Sequence, residues 1–349
     1  MAETSSPPIL QVRSASKSFP VSGKRGRRAL QRAVDGASFT LEEGKTLGIV
    51  GESGSGKTTL GRMIAGLERP DEGEILIGGE RVENLAQRRT SRALSALVQM
   101  VFQDSSAALN PRMTVGATLR EVLEVHRGRE GAGRHRDGVN ELIEKVGLPE
   151  GILERYAWEL SGGQLQRVCI ARALAVNANI LVCDEPVSAL DVSIQAQILN
   201  LLVALQGETG MALVFISHDI GVIQYVTQTV AVMYSGRIIE DGPTEAVVQS
   251  PHHPYTQALL RAVPEGLEGR QRRAKSSGPK IERMIAGTTS DWSGCAYRRR
   301  CERATEICGE EVPPWVAVGS ERRAFCHHAG EAGREQHPLA GQEETKGRE

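Results

Sequence analysis

The chain has almost no net charge, no long apolar run and few apolar residues in its first eight positions. Its formal charge is −1 over 349 residues, with 42 Lys and Arg against 43 Asp and Glu. No global field draws nucleic acid to it, so no nucleic-acid partner is expected. No apolar stretch approaches the ~20 residues needed to cross a bilayer. Met1 to Pro8 is polar and lacks the apolar core of a signal peptide. The chain is therefore expected in the cytosol. In that compartment its six cysteines point to core packing or metal binding before disulfides. The length allows one large domain or two modest ones.

What is present centres on residues 51–58. Gly51, Glu52, Ser53, Gly54, Ser55, Gly56, Lys57 and Thr58 match a phosphate loop: a glycine, four variable residues, then Gly-Lys-Thr. Thr46 to Val50 reads as a strand entering it, and Leu60, Met63, Ile64 and Leu67 follow at helical spacing. The glycines let backbone N–H groups turn inward around phosphates, and the helix N-terminus adds partial positive charge. Lys57 can reach the β- and γ-phosphates, and the Thr58 hydroxyl can hold Mg²⁺.

Upstream, Ile9 to Val12 and Val34 to Leu41 read as strands. Phe19 lies between them, and base stacking or simple packing suits it equally. Lys24, Arg25, Arg27 and Arg28 read as a solvated basic loop, with contact to acidic headgroups as the alternative. Downstream, Glu74 to Ile77 and Val98 to Phe102 read as strands, the latter ending at Gln103. Thr114 to His126 and Val139 to Val146 are helical, joined by a glycine-rich connection over 128–138.

Ser161, Gly162, Gly163 and Gln164 open a helix that carries Leu165, Val168, Cys169 and Ala173 on one face. Ser161 suits its N-cap, and the glycine N–H groups make a second phosphate-binding terminus. Ile180 to Cys183 reads as a buried strand delivering Asp184 and Glu185. Asp184 can hold Mg²⁺ through water, and Glu185 can orient or deprotonate an attacking water. Asp191 precedes a helix with Ile194, Ile198, Leu201, Leu202 and Leu205 on one face. The strand Ala212 to Ser217 ends at His218, and strand C-terminal ends are where open α/β sheets bind ligands. Cys169 and Cys183 occupy core-like positions and read as packing residues.

Taken in order, Phe19, the 51–58 loop, Gln103, Leu160 to Gln164, Asp184 with Glu185, Ser188 to Asp191, and His218 resemble the motifs of ATP-binding-cassette ATPases. The resemblance covers roughly residues 9–250. It implies a RecA-like P-loop core in an α/β fold, an antiparallel β subdomain and a helical subdomain over about 104–175. It also implies ATP and Mg²⁺ as cofactors. Thr58, Gln103 and Asp184 would surround the metal. Lys57, Glu185 and His218 would act at the γ-phosphate, and Phe19, Thr59 and Asp191 would complete the nucleotide contacts. Each ATP would lie between the phosphate loop of one cassette and Ser161 to Gln164 of another.

The region 251–330 resembles the C-terminal extension of oligopeptide, dipeptide and nickel importers, on Ser250 to Leu260. Leu109 to Gly116 and Trp158 to Leu160 resemble that family too. The Asn110 to Val115 run and Gln164 favour its second-type ATPase chain. The implied partners are a non-identical second ATPase chain, two transmembrane permease subunits and an extracytoplasmic solute-binding protein, with this chain on the cytoplasmic membrane face. Cys295, Cys301, Cys308 and Cys326 match no short ferredoxin or zinc-finger spacing. In the family such cysteines hold a 4Fe–4S cluster in some members, with zinc the lesser expectation. Trp292, Tyr297 and Glu302 depart from the family's usual residues there. A peptide exporter, a soluble non-transport cassette ATPase and an iron–sulfur regulator are the competing functions. Residues 1–8 and 331–349 read as a flexible start and a disordered tail.

Overall fold

The computed structural model describes residues 7–22, 28–87, 92–127, 132–262 and 293–330. Two sheets organise them. The smaller is antiparallel, with β1 (Leu10–Ser22) between β2 (Arg28–Leu41) and β4 (Glu72–Ile77), and β5 (Glu80–Arg81) beyond β4. The larger has the strand order Trp315–Gly319, Arg322–Phe325, Arg237–Pro243, Thr229–Tyr234, Thr46–Val50, Ala212–Ser217, Ile180–Asp184, Val98–Val101. Its centre is β3 (Thr46–Val50), flanked in parallel by β8 (Ala212–Ser217) and β9 (Thr229–Tyr234). β7 (Ile180–Asp184) and β6 (Val98–Val101) extend the parallel run on the β8 side.

Every residue of β3, β7 and β8 is buried. Their unbroken apolar runs fit parallel strands covered on both faces. One face packs against the antiparallel sheet and the helix Lys57–Ile64, through Leu10, Ile49, Leu60, Met63 and Ile75. The other packs against the helices Gly162–Leu174 and Val192–Thr209, through Val168, Ile170, Ile198 and Leu202. The helices Val115–Arg127 and Ala132–Lys145 continue that second core outward, through Leu119, Leu123 and Ile143.

Several boundaries differ from those expected. β1 runs ten residues past Val12, because its second half pairs with Arg28 to Val34; Phe19 therefore sits within a strand, opposite Gln31. The helix after the phosphate loop stops at Ile64, and Leu67 lies beyond it with 56% of its surface exposed. Gly66 takes a left-handed φ of 70° there and ends the periodicity. The helix Ala132–Lys145 begins inside the expected glycine-rich connection. Residues 128–131, Lys24, Arg25, Arg27, Trp292 and the tail 331–349 lie outside the described residues.

The C-terminal region is built onto the core sheet. β10 (Arg237–Pro243) pairs antiparallel with β9. Beyond it stands the hairpin β11 (Trp315–Gly319) and β12 (Arg322–Phe325), with β12 antiparallel to β10. An ion pair fixes that edge: Arg322 Nη2 lies 3.0 Å from Glu240 Oε1, with side chains 7% and 0% exposed. Glu240 also accepts the His252 and His253 amides at 2.8 and 2.9 Å. Arg322 donates to the Ser250 carbonyl as well. Arg323 forks onto Asp241 and stacks over Trp315 at 4.5 Å.

Candidate functional site

The loop 51–56 leaves the C-terminal end of β3, and the parallel order places the ends of β6, β7 and β8 beside it. Each of those strands delivers one expected residue or pair: Gln103, Asp184 with Glu185, and His218. All of them meet. Thr58 Oγ1 donates to Asp184 Oδ1 at 3.1 Å. Gln103 Nε2 donates to Glu185 Oε2 at 3.1 Å, and His218 Nδ1 stands 3.2 Å from that same oxygen. Lys57 Nζ lies 4.0 Å from Glu185 Oε1.

Glu185 has a φ of 46°, in the left-handed region that an L residue adopts at a cost of order 1–3 kcal/mol. Its amide donates to the Ile216 carbonyl at 2.9 Å, which ties the turn to β8. The turn aims the carboxylate at Gln103, His218 and Lys57.

Burial dominates the electrostatics. Lys57 is 4% exposed, and desolvation lowers its ammonium pKa against the pull of Glu185, Asp184 and Glu52. Its Nζ donates to the Gly51 and Glu52 carbonyls at 2.8 and 2.9 Å. Asp184 is 2% exposed, and burial holds its carboxyl above the usual carboxylate range. A divalent cation at Thr58 and Asp184 would favour the ionised form, so this pair fits Mg²⁺. The loop fits an anion. Ser53 and Gly54 are exposed, Ser55 Oγ is buried without a described partner, and the helix carrying Thr58 and Thr59 starts at Lys57.

The loop glycines serve different ends. Gly54 takes a φ of 81° with open space at the Cβ position. A Cβ on Gly51 would lie 2.0 Å from the Met233 carbonyl oxygen, and one on Gly56 2.0 Å from that of Ala33. Those two are glycines because the loop presses against β9 and β2.

Among the described hydrogen bonds, none joins Ser161, Gly162, Gly163 or Gln164 to this cluster. Ser161 is the N-cap of Gly162–Leu174: its Oγ accepts the Gln164 amide at 3.3 Å, and Gln164 Oε1 accepts the Ser161 amide at 3.1 Å. The two glycines rest on the segment around Asp191. A Cβ on Gly163 would meet Ile194 Cγ2 at 2.6 Å, and one on Gly162 would meet Leu190 Cδ2 at 3.2 Å. Asp191 is exposed at the N-terminus of Val192–Thr209, with no capping bond from its side chain. Phe19 is half-buried in β1, with Lys17 Nζ 5.6 Å from its ring.

Cys169 and Cys183 are buried in the core, and desolvation raises both thiols, Cys169 to about 11. The other four cysteines gather in the C-terminal region. The Cys295 amide donates to the Cys308 carbonyl at 2.8 Å. Burial raises the Cys295 and Cys301 thiols and pushes Cys326 up to about 11. Among the described residues no three His, Cys, Asp or Glu side chains are spaced to hold a single metal ion.

One feature had no sequence signal. Glu52, a variable position of the loop motif, is gripped by the C-terminal region. Its amide donates to the Tyr255 phenol oxygen at 2.8 Å, and its carboxylate receives both Arg300 Nη atoms at 2.9 and 2.8 Å.

Family models match twice: "ABC transporter" over residues 34–188, and "Oligopeptide/dipeptide transporter, C-terminal region" over residues 239–308. The chain is 43% identical over 323 residues to the dipeptide transport ATP-binding protein DppF of Haemophilus influenzae, covering 92% of this chain and 97% of the relative. It is 40% identical over 321 residues to the oligopeptide transport ATP-binding protein AppF of Bacillus subtilis, covering 91% and 97%. Among solved structures it resembles the dimeric post-hydrolysis state of the ATP-binding cassette MJ0796 bound to ADP and Pi. That match has a TM-score of 0.61 and 28% identity, over 68% of this chain and 99% of that one.

Proposed function

The chain belongs to the ABC transporter ATPases that carry the oligopeptide/dipeptide transporter C-terminal region, and from that premise we propose that it hydrolyses ATP to drive peptide uptake through separate membrane subunits. The observation that carries the reading is the meeting of Thr58, Gln103, Asp184, Glu185 and His218 beside one phosphate loop.

ATP would bind with its phosphates on the loop amides and Lys57, whose ammonium would exchange loop carbonyls for phosphate oxygens. Thr58, Gln103 and Asp184 would hold Mg²⁺, which when bound neutralises phosphate charge. Glu185 would orient the attacking water and draw its proton, while Gln103 and His218 fix the carboxylate. Phe19 would meet the base, and Thr59 would add a hydroxyl beside the phosphates.

The placement of Ser161 supports a composite site. Its hydroxyl caps its own helix and has no described bond to the loop. In a head-to-tail pair of cassettes, Ser161, Gly162, Gly163 and Gln164 would face the partner's γ-phosphate, with Asp191 at the seam. ATP would then close the pair, and hydrolysis would reopen it. The dimer named for the solved relative supports this reading. A second, non-identical ATPase chain is the proposed partner.

Among the described residues no helix is long and apolar enough to cross a membrane. Two permease subunits and an extracytoplasmic solute-binding protein would complete the importer, with this chain on the cytoplasmic membrane face. A groove lined by Leu94, Phe102, Asn110, Met113, His126 and Arg172 lies beside the strand end that carries Gln103, and suits a permease segment.

Cys295, Cys301, Cys308 and Cys326 are the proposed ligands of a 4Fe–4S cluster. The support for this reading is the resemblance of the segment to the family's cysteine-containing extension and the backbone bond that brings Cys295 to Cys308.

Reconstitution with the permease subunits tests the function: ATP-dependent peptide uptake into vesicles is expected, and ATPase activity without uptake of any peptide would overturn import. Iron and labile sulfide in anaerobically purified protein, lost on Cys301→Ser, test the cluster; metal-free native protein would remove it.

A further inference from the structure

We propose that Arg300 and Tyr255, two residues of the C-terminal region, position the phosphate loop by holding Glu52. The inference rests on the nucleotide-binding reading of the site and adds an input to it.

Glu52 is a node between that region and the site. Its carbonyl accepts Lys57 Nζ at 2.9 Å. Its amide donates to Tyr255 Oη at 2.8 Å, and its carboxylate takes the fork of Arg300. All its polar groups are thus occupied, one by the phosphate-binding lysine and the others from more than 200 residues away. An exposed loop residue with three separate anchors cannot move without breaking one of them.

The anchors are themselves fixed. Tyr255 is 1% exposed in the first turn of the helix Pro254–Arg261, whose N-cap is the His253 ring. The Tyr234, Tyr255 and Tyr297 rings have centroids 4.6, 5.2 and 5.5 Å apart. The Arg300 guanidinium lies 6.0 and 5.7 Å from Tyr234 and Tyr297, and cation–π attraction aligns its fork. Tyr234 ends β9, the strand paired with the loop's own strand. Tyr297 and Arg300 lie between Cys295 and Cys301. The cysteine segment thereby reaches the loop through one packed aromatic cluster.

The charge balance points the same way. A bare Glu52 carboxylate beside the loop would repel a triphosphate, and the Arg300 guanidinium neutralises it. Loss of Arg300 therefore both frees the loop and exposes a repelling charge. Loss of the Tyr255 hydroxyl frees the Glu52 amide alone.

The test measures Mg–ATP affinity and steady-state kinetics on the full chain with Arg300→Gln, Arg300→Lys, Tyr255→Phe, Glu52→Gln, and Arg300→Gln combined with Glu52→Gln. Arg300→Gln is expected to raise Kd and KM for ATP about fivefold with kcat little changed, in line with ~1 kcal/mol for an exposed bidentate pair. Arg300→Lys keeps the charge without the fork and should recover about half of that loss. In the Glu52→Gln background, Arg300→Gln should cost nothing further, because the partner is gone. Tyr255→Phe should weaken ATP in the same direction and keeps the test alive if Arg300→Gln fails to fold. Equal losses with and without Glu52, or unchanged ATP affinity in both Arg300→Gln and Tyr255→Phe, would overturn the positioning role. Wild-type protein that binds no ATP would overturn the nucleotide reading instead.

Discussion

Thr58 Oγ1 and Asp184 Oδ1 lie 3.1 Å apart although 126 residues separate them. Parallel pairing of β3 with β8 and of β8 with β7 makes that meeting a consequence of strand order. The two groups offer a hydroxyl and a carboxylate to one cation. The chemical step then depends on the neighbouring carboxylate.

Glu185→Gln keeps the side chain's size and can still meet Gln103 and His218. It removes the base. Phosphate release should fall by roughly a hundredfold or more while ATP binding is retained. Parallel turnover and equilibrium binding measurements check this; normal turnover would dismiss Glu185 as the base.

Ser161→Asp separates the two roles of that position. Asp caps a helix about as well as Ser, so the thermal midpoint should hold. The added carboxylate would face a partner's triphosphate. ATP binding to the single chain should persist, while ATPase activity drops at least about tenfold. Undiminished ATPase activity would argue against a shared site.

His253 is the acid-sensitive anchor of the C-terminal region. Burial lowers its pKa to about 3, and its Nδ1 accepts the Tyr255 amide. The native state therefore keeps His253 neutral, while the unfolded chain binds a proton below about 6.5. Stability from this group is fully present above pH ~6.5 and is lost as pH falls toward 3, at up to about 1.4 kcal/mol per pH unit. His253→Asn retains a capping acceptor without that proton. Its thermal midpoint should fall less steeply than wild type between pH 7 and 5; identical slopes would refute the assignment.

Arg322→Met removes the cation from the fully buried Glu240 side chain and leaves it the His252 and His253 amides. Breaking a buried pair costs about 3 kcal/mol or more. The urea midpoint should drop accordingly, with loss concentrated in the β11–β12 edge as read by amide exchange. An unchanged midpoint would show that the pair contributes little.

Much of the site was legible because each motif is local. A strand, its end residue and the next helix are contiguous, so Thr46 to Thr58 and Ile180 to Glu185 announce themselves. Capping is local too, and Ser161 caps the helix its sequence position implies. Less legible were features set by distant neighbours. The run Leu60 to Leu67 keeps its spacing past Ile64, yet Gly66 ends the helix and leaves Leu67 exposed. By sequence alone Gly51 and Gly56 read as glycines made for phosphate. Their first constraint is carbonyl oxygens of Met233 and Ala33, on strands whose approach no local pattern encodes.

The sequence by itself determined that a phosphate loop, two strand-end carboxylates and a helix-capping serine exist. Residue type and short spacing suffice for that, because each depends on chain neighbours. Only the tertiary structure decided that Glu185 meets Gln103 and His218. Only it decided that β12 joins the core sheet and that Arg300 closes on Glu52, a variable position in the loop motif. Those contacts link residues 82 and 248 positions apart. They follow from which surfaces pack together, and hydrophobic periodicity marks a face for burial without naming its partner.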